Sequence, residues 1–136
     1  KNRAQLHRRL DRLHRWSVYA DGRSFDPLPA APVAHHRDPT LVIEPLQTTF
    51  AVRSESLQQK HCLASYLPQI ADGQVAAYRM LKPVRATLAI MRQSSGNWRL
   101  LNLRGKANSD IPLEIWALVE QWLHGYMANA GDAVSA

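Results

Sequence analysis

The sequence predicts an α+β domain in which helices pack on a small antiparallel sheet. Two observations favour this class: a β-hairpin over about residues 84–104, and apolar residues at helical spacing on either side of it. With 136 residues, the chain is long enough for one domain with a modest core. Helices followed by a hairpin also suit a winged-helix arrangement, although no recognition helix is evident.

The hairpin is predicted from turn-forming residues that separate two apolar runs. Residues 93–97 read QSSGN, and Gly96 can adopt the positive φ that a tight loop requires. Before the turn, residues 84–91 alternate as expected for a strand with one buried face. The competing interpretation is a helix over residues 71–92, because Ala, Leu, Met and Arg are good helix formers. Pro83 argues against that helix, since it lacks a backbone donor and disfavours helical geometry at Lys82.

Four segments are expected along the chain. They are a basic amphipathic arm helix (1–20), a connector with four prolines (21–40), the α+β domain (41–127) and a flexible tail (128–136). In the arm, leucines and arginines recur on opposite helix faces at the same spacing: Leu6, Leu10 and Leu13 against Arg8, Arg12 and Arg15. The arginine face is either a solvated surface or a face that follows phosphates, and the leucine face could also support dimerisation.

Within the domain, residues 41–52 favour strands that Pro45 interrupts. A helix is then expected to begin with a capping box of Ser56 and Gln59, and a shorter helix should span residues 72–81. The last helix begins near Pro112, where a missing backbone donor costs nothing. Its Trp116 and Trp122 are expected as core anchors or as a partner-binding face. Cys62 is expected to be a small core residue.

The charge distribution concerns partners rather than fold. The chain has 17 Lys and Arg against 11 Asp and Glu, a formal +6, and 13 of the 17 are arginine. Residues 1–30 carry +4 and residues 71–110 carry +5, whereas residues 111–136 carry −3. Arginine binds phosphates and base edges well, so this asymmetry points to an anionic partner.

The sequence contains no catalytic or metal-binding motif. It has no Gly-x-Ser-x-Gly, His-Glu-x-x-His, phosphate-loop or Rossmann glycine pattern, and a single cysteine rules out a cysteine-based zinc site. We therefore expect no catalytic residue, metal or cofactor, although an enzyme built from dispersed residues stays an alternative. No apolar run approaches the ~20 residues of a membrane span or resembles a signal peptide, so a cytoplasmic protein without membrane contact is expected.

Nucleic-acid binding is the function that these features favour, with DNA preferred over RNA. A basic ribbon with an exposed aromatic residue can enter a groove or stack single-stranded bases. The candidate contacts are Arg8, Arg12 and Arg15 in the arm, and Arg85, Trp98, Arg99, Arg104 and Lys106 in the hairpin region. Periodicity leaves two registers open: Trp98 faces outward with Arg104, or Trp98 lies in the core and Arg99 is exposed. A further alternative is that Trp98 is simply a core residue. The arginines would then be solvated residues on the surface of the sheet, without a role in binding.

A partial resemblance adds to this prediction. The Leu101-Asn102-Leu103-Arg104 pattern is followed by Ser109 and Trp116, and Pro83-Val84-Arg85 precedes it. Over about residues 83–116 the chain resembles a small uncharacterised family encoded on bacterial integrating conjugative elements, near genes for a single-stranded-DNA-binding protein and a topoisomerase. The resemblance implies an accessory role in a mobile element and no catalytic residue.

The alternative function is a non-catalytic subunit of a larger complex. Its contacts with a protein partner, or with a second copy of the chain, would be the leucine face of the arm and the helix that carries Trp116 and Trp122. Both functions can hold together in a nucleoprotein assembly.

Overall fold

A computed structural model describes residues 24–135, with side-chain positions to residue 128. Its elements in chain order are the strands β1 (His36–Arg37) and β2 (Val42–Pro45), helix α1 (Thr49–Gln59), a 3₁₀ turn (Leu63–Tyr66), helix α2 (Leu67–Ala71), the strands β3 (Val75–Lys82), β4 (Ala86–Arg92) and β5 (Trp98–Arg104), a single turn (Lys106–Asn108) and helix α3 (Leu113–Ser135). The α+β class and the hairpin of β4 and β5 are confirmed.

Within the described residues, the five strands form one antiparallel sheet in the order β1-β2-β3-β4-β5. This simple meander does not show the winged-helix arrangement. The sheet is covered on both faces. One face packs against α3 through Val119 and Leu123, and the opposite face packs against α1, the 3₁₀ turn and α2. We call these the α3 face and the α1 face.

Strand β3 corrects the short helix predicted for residues 72–81. Val75 and Ala77 are buried on the α1 face, whereas Tyr78 and Met80 are buried on the α3 face. A strand that is buried on both sides reads as a continuous apolar run without alternation. Alanine and methionine then favour a helix locally, and the pairing of β3 with two neighbouring strands overrides that preference.

Helix α1 begins earlier than the predicted capping box. Thr48 is the N-cap, and its hydroxyl accepts a hydrogen bond from the Ala51 amide at 3.0 Å. Ser56 lies buried inside the helix, where its hydroxyl donates to the His61 carbonyl at 2.5 Å and accepts from the Ala64 amide at 3.2 Å. Ser56 therefore joins the end of α1 to the 3₁₀ turn instead of starting a helix.

The segment predicted as a connector contributes to the packed structure. Val33 is buried against the α3 face, and its amide donates to the Tyr78 hydroxyl at 3.0 Å. Burial raises the pKa of this tyrosine, so the hydroxyl stays neutral. At the start of the segment, Asp26 accepts a hydrogen bond from the Thr49 amide at 2.9 Å, and this bond lowers the pKa of Asp26. Residues 24–33 thus lie along the domain.

The last helix is confirmed, and its tryptophans pack on the sheet. Trp116 and Trp122 are half-buried on the α3 face, and the Trp122 ring meets the Tyr78 ring edge-on, with centroids 5.4 Å apart. Such a pair adds to the stability that burial provides. The helix runs on to Ser135, through the residues for which the sequence predicts a flexible tail. No helix in the described part of the chain is both long and apolar enough to cross a membrane.

Candidate functional site

A β-bulge in β5 decides which side chains face which side of the sheet. Ala89 pairs with Asn102 and Ile90 pairs with Leu100, so Leu101 is an extra residue without a partner in β4. Leu100 and Leu103 consequently both face α3, while Asn102 and Arg104 share the α1 face with Ala89 and Thr87. Neither of the two registers considered from the sequence describes the whole strand, because the bulge changes the facing of the side chains after Leu100. Bulges occur next to functional sites because they redirect side chains.

The α1 face carries a buried polar network at its centre. Glu55 on α1 is only 2% exposed, and both of its carboxylate oxygens accept hydrogen bonds from the Arg85 guanidinium. The Thr87 hydroxyl donates to the same carboxylate and contacts His61 Nε2 at 3.0 Å. A buried carboxylate requires such partners, since removing a charge from water is costly. Arg85, predicted as a nucleic-acid contact, is thus engaged with Glu55.

Beside this network lies a cleft of about 500 Å³, between the β4–β5 pair and the 3₁₀ turn. Its lining combines polar and apolar surface in similar amounts. The residues that line it are His61, Cys62, Leu63, Ser65, Tyr66, Thr87, Leu88, Ala89, Asn102, Arg104 and Asn108, of which Leu88 has its side chain on the α3 face. Cys62 is exposed, so its prediction as a core residue is wrong. The chain leaves α1 through a left-handed Lys60, which turns residue 62 away from the apolar interior.

Among the predicted contacts that the structure describes, Arg104 alone lines the cleft. Its Nε donates to Asn102 Oδ1 at 3.1 Å, and its Nη1 donates to Asp110 Oδ1 at 2.8 Å. Asp110 is 95% exposed, so this ion pair is open to water and weak. Arg104 can therefore exchange Asp110 for another anion at little cost.

The other predicted contacts are dispersed. Trp98 is half-buried against the α3 face, and Arg99 is exposed with its Nη2 3.5 Å from the Met91 sulfur. Lys106 is exposed at the far end of β5. Arg8, Arg12 and Arg15 lie outside the described residues. Of the hairpin contacts, the structure therefore brings only Arg104 into the cleft.

Sequence reasoning missed Glu55, His61, Thr87, Asn102 and Asn108. One signal was present: three leucines at positions 100, 101 and 103 break strict alternation, as expected where a bulge inserts a residue. The polar network had no comparable signal, because its partners lie 26 to 32 residues apart in the chain.

The turn that closes the cleft has an unusual backbone. Ala107 and Asn108 both adopt left-handed geometry, with φ of 58° and 61°. Gly105 precedes them in a tight site, where a Cβ atom would lie 2.4 Å from Ser109 Oγ. Left-handed geometry is unfavourable for alanine, and strain of this kind collects at ligand-binding sites.

Replacing Ala107 by Gly should therefore stabilise the domain by about 1 kcal/mol, because glycine adopts positive φ without a Cβ penalty. Urea denaturation of the Ala107→Gly variant and of the native chain measures this difference. A matched control is Ala117→Gly on the exposed side of α3, which should destabilise by about 1 kcal/mol. Destabilisation by both substitutions would contradict the strained turn.

No protein-family model matches the chain, and neither a curated protein nor a solved structure matches it. Within residues 24–128, no group of three His, Cys, Asp or Glu side chains is placed to hold a metal ion. The candidate functional site is the cleft described above, which is lined by hydrogen-bond donors and lies beside the Glu55–Arg85 ion pair.

Proposed function

We propose that this chain is a nucleic-acid-binding accessory or regulatory protein, serving DNA maintenance, transfer or transcription in a mobile element. The observation that carries the proposal is where the positive charge lies. Residues 24–136 carry ten Lys and Arg against nine Asp and Glu, a formal +1, whereas residues 1–23 carry seven against two, a formal +5. A concentrated basic segment beside a nearly neutral domain is suited to phosphate binding.

Ion pairs within the domain add to this difference in charge between residues 1–23 and the rest of the chain. Arg79, Arg85 and Arg104 each form an ion pair with a carboxylate, so much of the positive charge of the sheet is already compensated. The arm arginines Arg8, Arg12 and Arg15 would supply most of the phosphate contacts, and exposed Arg99 and Lys106 would add to them. The half-buried Trp98 has only part of its ring available for stacking on a base. We assign no catalytic step.

Reversing the charge of Arg8 and Arg12 in the full chain (Arg8→Glu with Arg12→Glu) should weaken DNA binding strongly. Each lost phosphate contact lowers the slope of log affinity against log salt by about one, so the slope should fall by about two. Fluorescence anisotropy with labelled DNA at several salt concentrations measures both affinity and slope.

The matched control is Lys60→Glu with Lys82→Glu, which changes the net charge equally at two exposed positions of the domain. The proposal expects a much smaller effect from this pair. An equal loss of DNA affinity in the two double variants would show that net charge alone governs binding. An unchanged affinity of the Arg8→Glu, Arg12→Glu variant would show that the arm does not contact DNA.

The second candidate function, a non-catalytic protein–protein subunit, is favoured by one different observation. Phe50 and Leu57 on α1 are 80% and 65% exposed, and their seven-residue separation places them on one helix face. Trp116 and Trp122, by contrast, are occupied by packing on the sheet. A native chain that sediments as a monodisperse monomer without any partner would speak against this candidate.

A further inference from the structure

The donors that line the cleft are not saturated by the protein. Asn102 Oδ1 accepts from the Leu103 amide at 3.0 Å and from Arg104 Nε, whereas the Asn102 amide nitrogen has no hydrogen-bond partner among the described residues. Arg104 Nη2 and the side-chain amide of Asn108 likewise have no hydrogen-bond partner among the described residues. These groups offer several N–H donors toward one ligand.

The charge of the cleft selects an anion. None of its lining residues is a carboxylate, and Arg104 supplies their positive charge; the carboxylate that pairs with Arg104, Asp110, is exposed and lies outside the lining. The nearest buried carboxylate, Glu55, is neutralised by Arg85. Arginine binds phosphate well because its planar fork of donors matches the phosphate oxygens.

The remaining lining suits a planar group next to that anion. Leu63 and Ala89 form an apolar part, and the half-buried Tyr66 adds an aromatic ring. The N–H donors of Asn102 and the whole side-chain amide of Asn108 can bond the polar edge of a nucleobase, and aromatic rings stack on bases. The volume of about 500 Å³ lies within the ~300–1,000 Å³ that is usual for small-ligand sites.

The strained turn supports a ligand rather than a merely structural cleft. Two backbone hydrogen bonds close the turn around the left-handed Ala107 and Asn108: the Gly105 amide donates to the Ser109 carbonyl at 2.9 Å, and the Ser109 amide donates to the Lys106 carbonyl at 3.1 Å. This geometry sets Asn108 at the edge of the cleft, opposite Asn102 and Arg104 of β5. A turn held in an unfavourable conformation at the rim of a polar cleft is typical of ligand clamps.

We propose that the cleft binds one nucleoside phosphate, with the phosphate on Arg104 and the base edge on the amides of Asn102 and Asn108. The inference rests on the proposed function and deepens it by naming the unit that is bound. A nucleoside phosphate can be one nucleotide of a bound strand or a free nucleotide. The arm would then attract the strand, and the cleft would hold a single unit of it.

The variant that isolates the donors is Asn102→Asp. An aspartate keeps the oxygen that accepts from Leu103 and Arg104, but it removes the amide donors and adds a negative charge that repels phosphate. Arg104→Gln removes the phosphate contact independently. The matched control is Asn97→Asp in the exposed β4–β5 loop, which makes the same chemical change away from the cleft. Circular dichroism melting confirms that each variant is folded.

Isothermal titration calorimetry with deoxyadenosine 5′-monophosphate tests the site directly. The native chain and Asn97→Asp should bind it, while Asn102→Asp and Arg104→Gln should each weaken binding by roughly tenfold or more. A comparison with deoxyadenosine and with inorganic phosphate should show that both halves of the nucleotide are needed. Absence of mononucleotide binding, or equal binding by all four proteins, would overturn the proposal.

Short single-stranded DNA distinguishes the two sources of the nucleotide. If both cleft variants also weaken binding of the oligonucleotide, the cleft holds a unit of the strand; if they weaken only mononucleotide binding, the ligand is a free nucleotide. Salt-dependent strand binding without any mononucleotide binding would remove the cleft and keep the proposed function. Mononucleotide binding without any strand binding would do the reverse.

Discussion

Replacing Arg85 by Met should lower the free energy of unfolding by about 3–5 kcal/mol, the usual cost of removing one partner from a buried ion pair. Glu55 is 2% exposed, and Arg85 donates to both of its oxygens. Without Arg85, the Glu55 carboxylate keeps only the Thr87 hydroxyl as a hydrogen-bond partner among the described residues, although Glu55 itself is almost fully buried. Chemical denaturation of the native chain and of the variant measures the loss.

A matched control is Arg79→Met. Arg79 also forms an ion pair, with Glu44 at 2.6 Å, but that pair is partly open to solvent and its loss should cost no more than about 1 kcal/mol. The double variant Glu55→Leu with Arg85→Met should recover much of the lost stability, since a buried pair replaced by apolar side chains is often tolerated. Equal losses in Arg85→Met and Arg79→Met would contradict the buried network.

Replacing Leu103 by Ala should lower the free energy of unfolding by about 2–5 kcal/mol. Leu103 has no exposed surface, and it packs with Val119 and Leu123 of α3. The truncation removes apolar contacts and leaves a cavity between the sheet and the helix. Urea denaturation with an unchanged m-value would identify this as a loss of stability rather than a change in the unfolded state.

Leu113→Ala is the control for this substitution. Leu113 is 82% exposed at the start of the same helix, so its truncation should change stability by no more than about 0.5 kcal/mol. A loss in Leu103→Ala as small as in Leu113→Ala would mean that α3 does not pack on β5 as described.

Local sequence signals were sufficient for the hairpin and for the last helix. The turn at residues 93–97 and the alternation before it define β4 and β5 without reference to the rest of the chain. The Trp-rich helix after Pro112 is likewise predicted by its own periodicity. In both elements the predicted secondary structure is correct, although β4 is buried on both faces and not on one as its alternation predicted.

The sequence failed where tertiary contacts override local preference. Strand β3 reads as a helix because both of its faces are buried, and because its two basic residues, Arg79 and Lys82, stand three apart as on one face of a helix. Glu55 and Ser56 resemble the exposed residues of a helix start, yet each is buried because a partner distant in sequence satisfies it. The cleft depends on the Leu101 bulge and on the left-handed turn, neither of which has a strong signature in one sequence.

The most direct test of nucleic-acid binding is fluorescence anisotropy of the native chain against labelled single- and double-stranded DNA and RNA, from low to high salt. We expect micromolar or tighter binding at low salt. The logarithm of the affinity should fall linearly with the logarithm of the salt concentration, by about 0.7 per neutralised phosphate for single strands and 0.9 for duplex DNA. No binding at low salt would contradict the account, because a chain of formal charge +6 should show at least weak attraction to a polyanion.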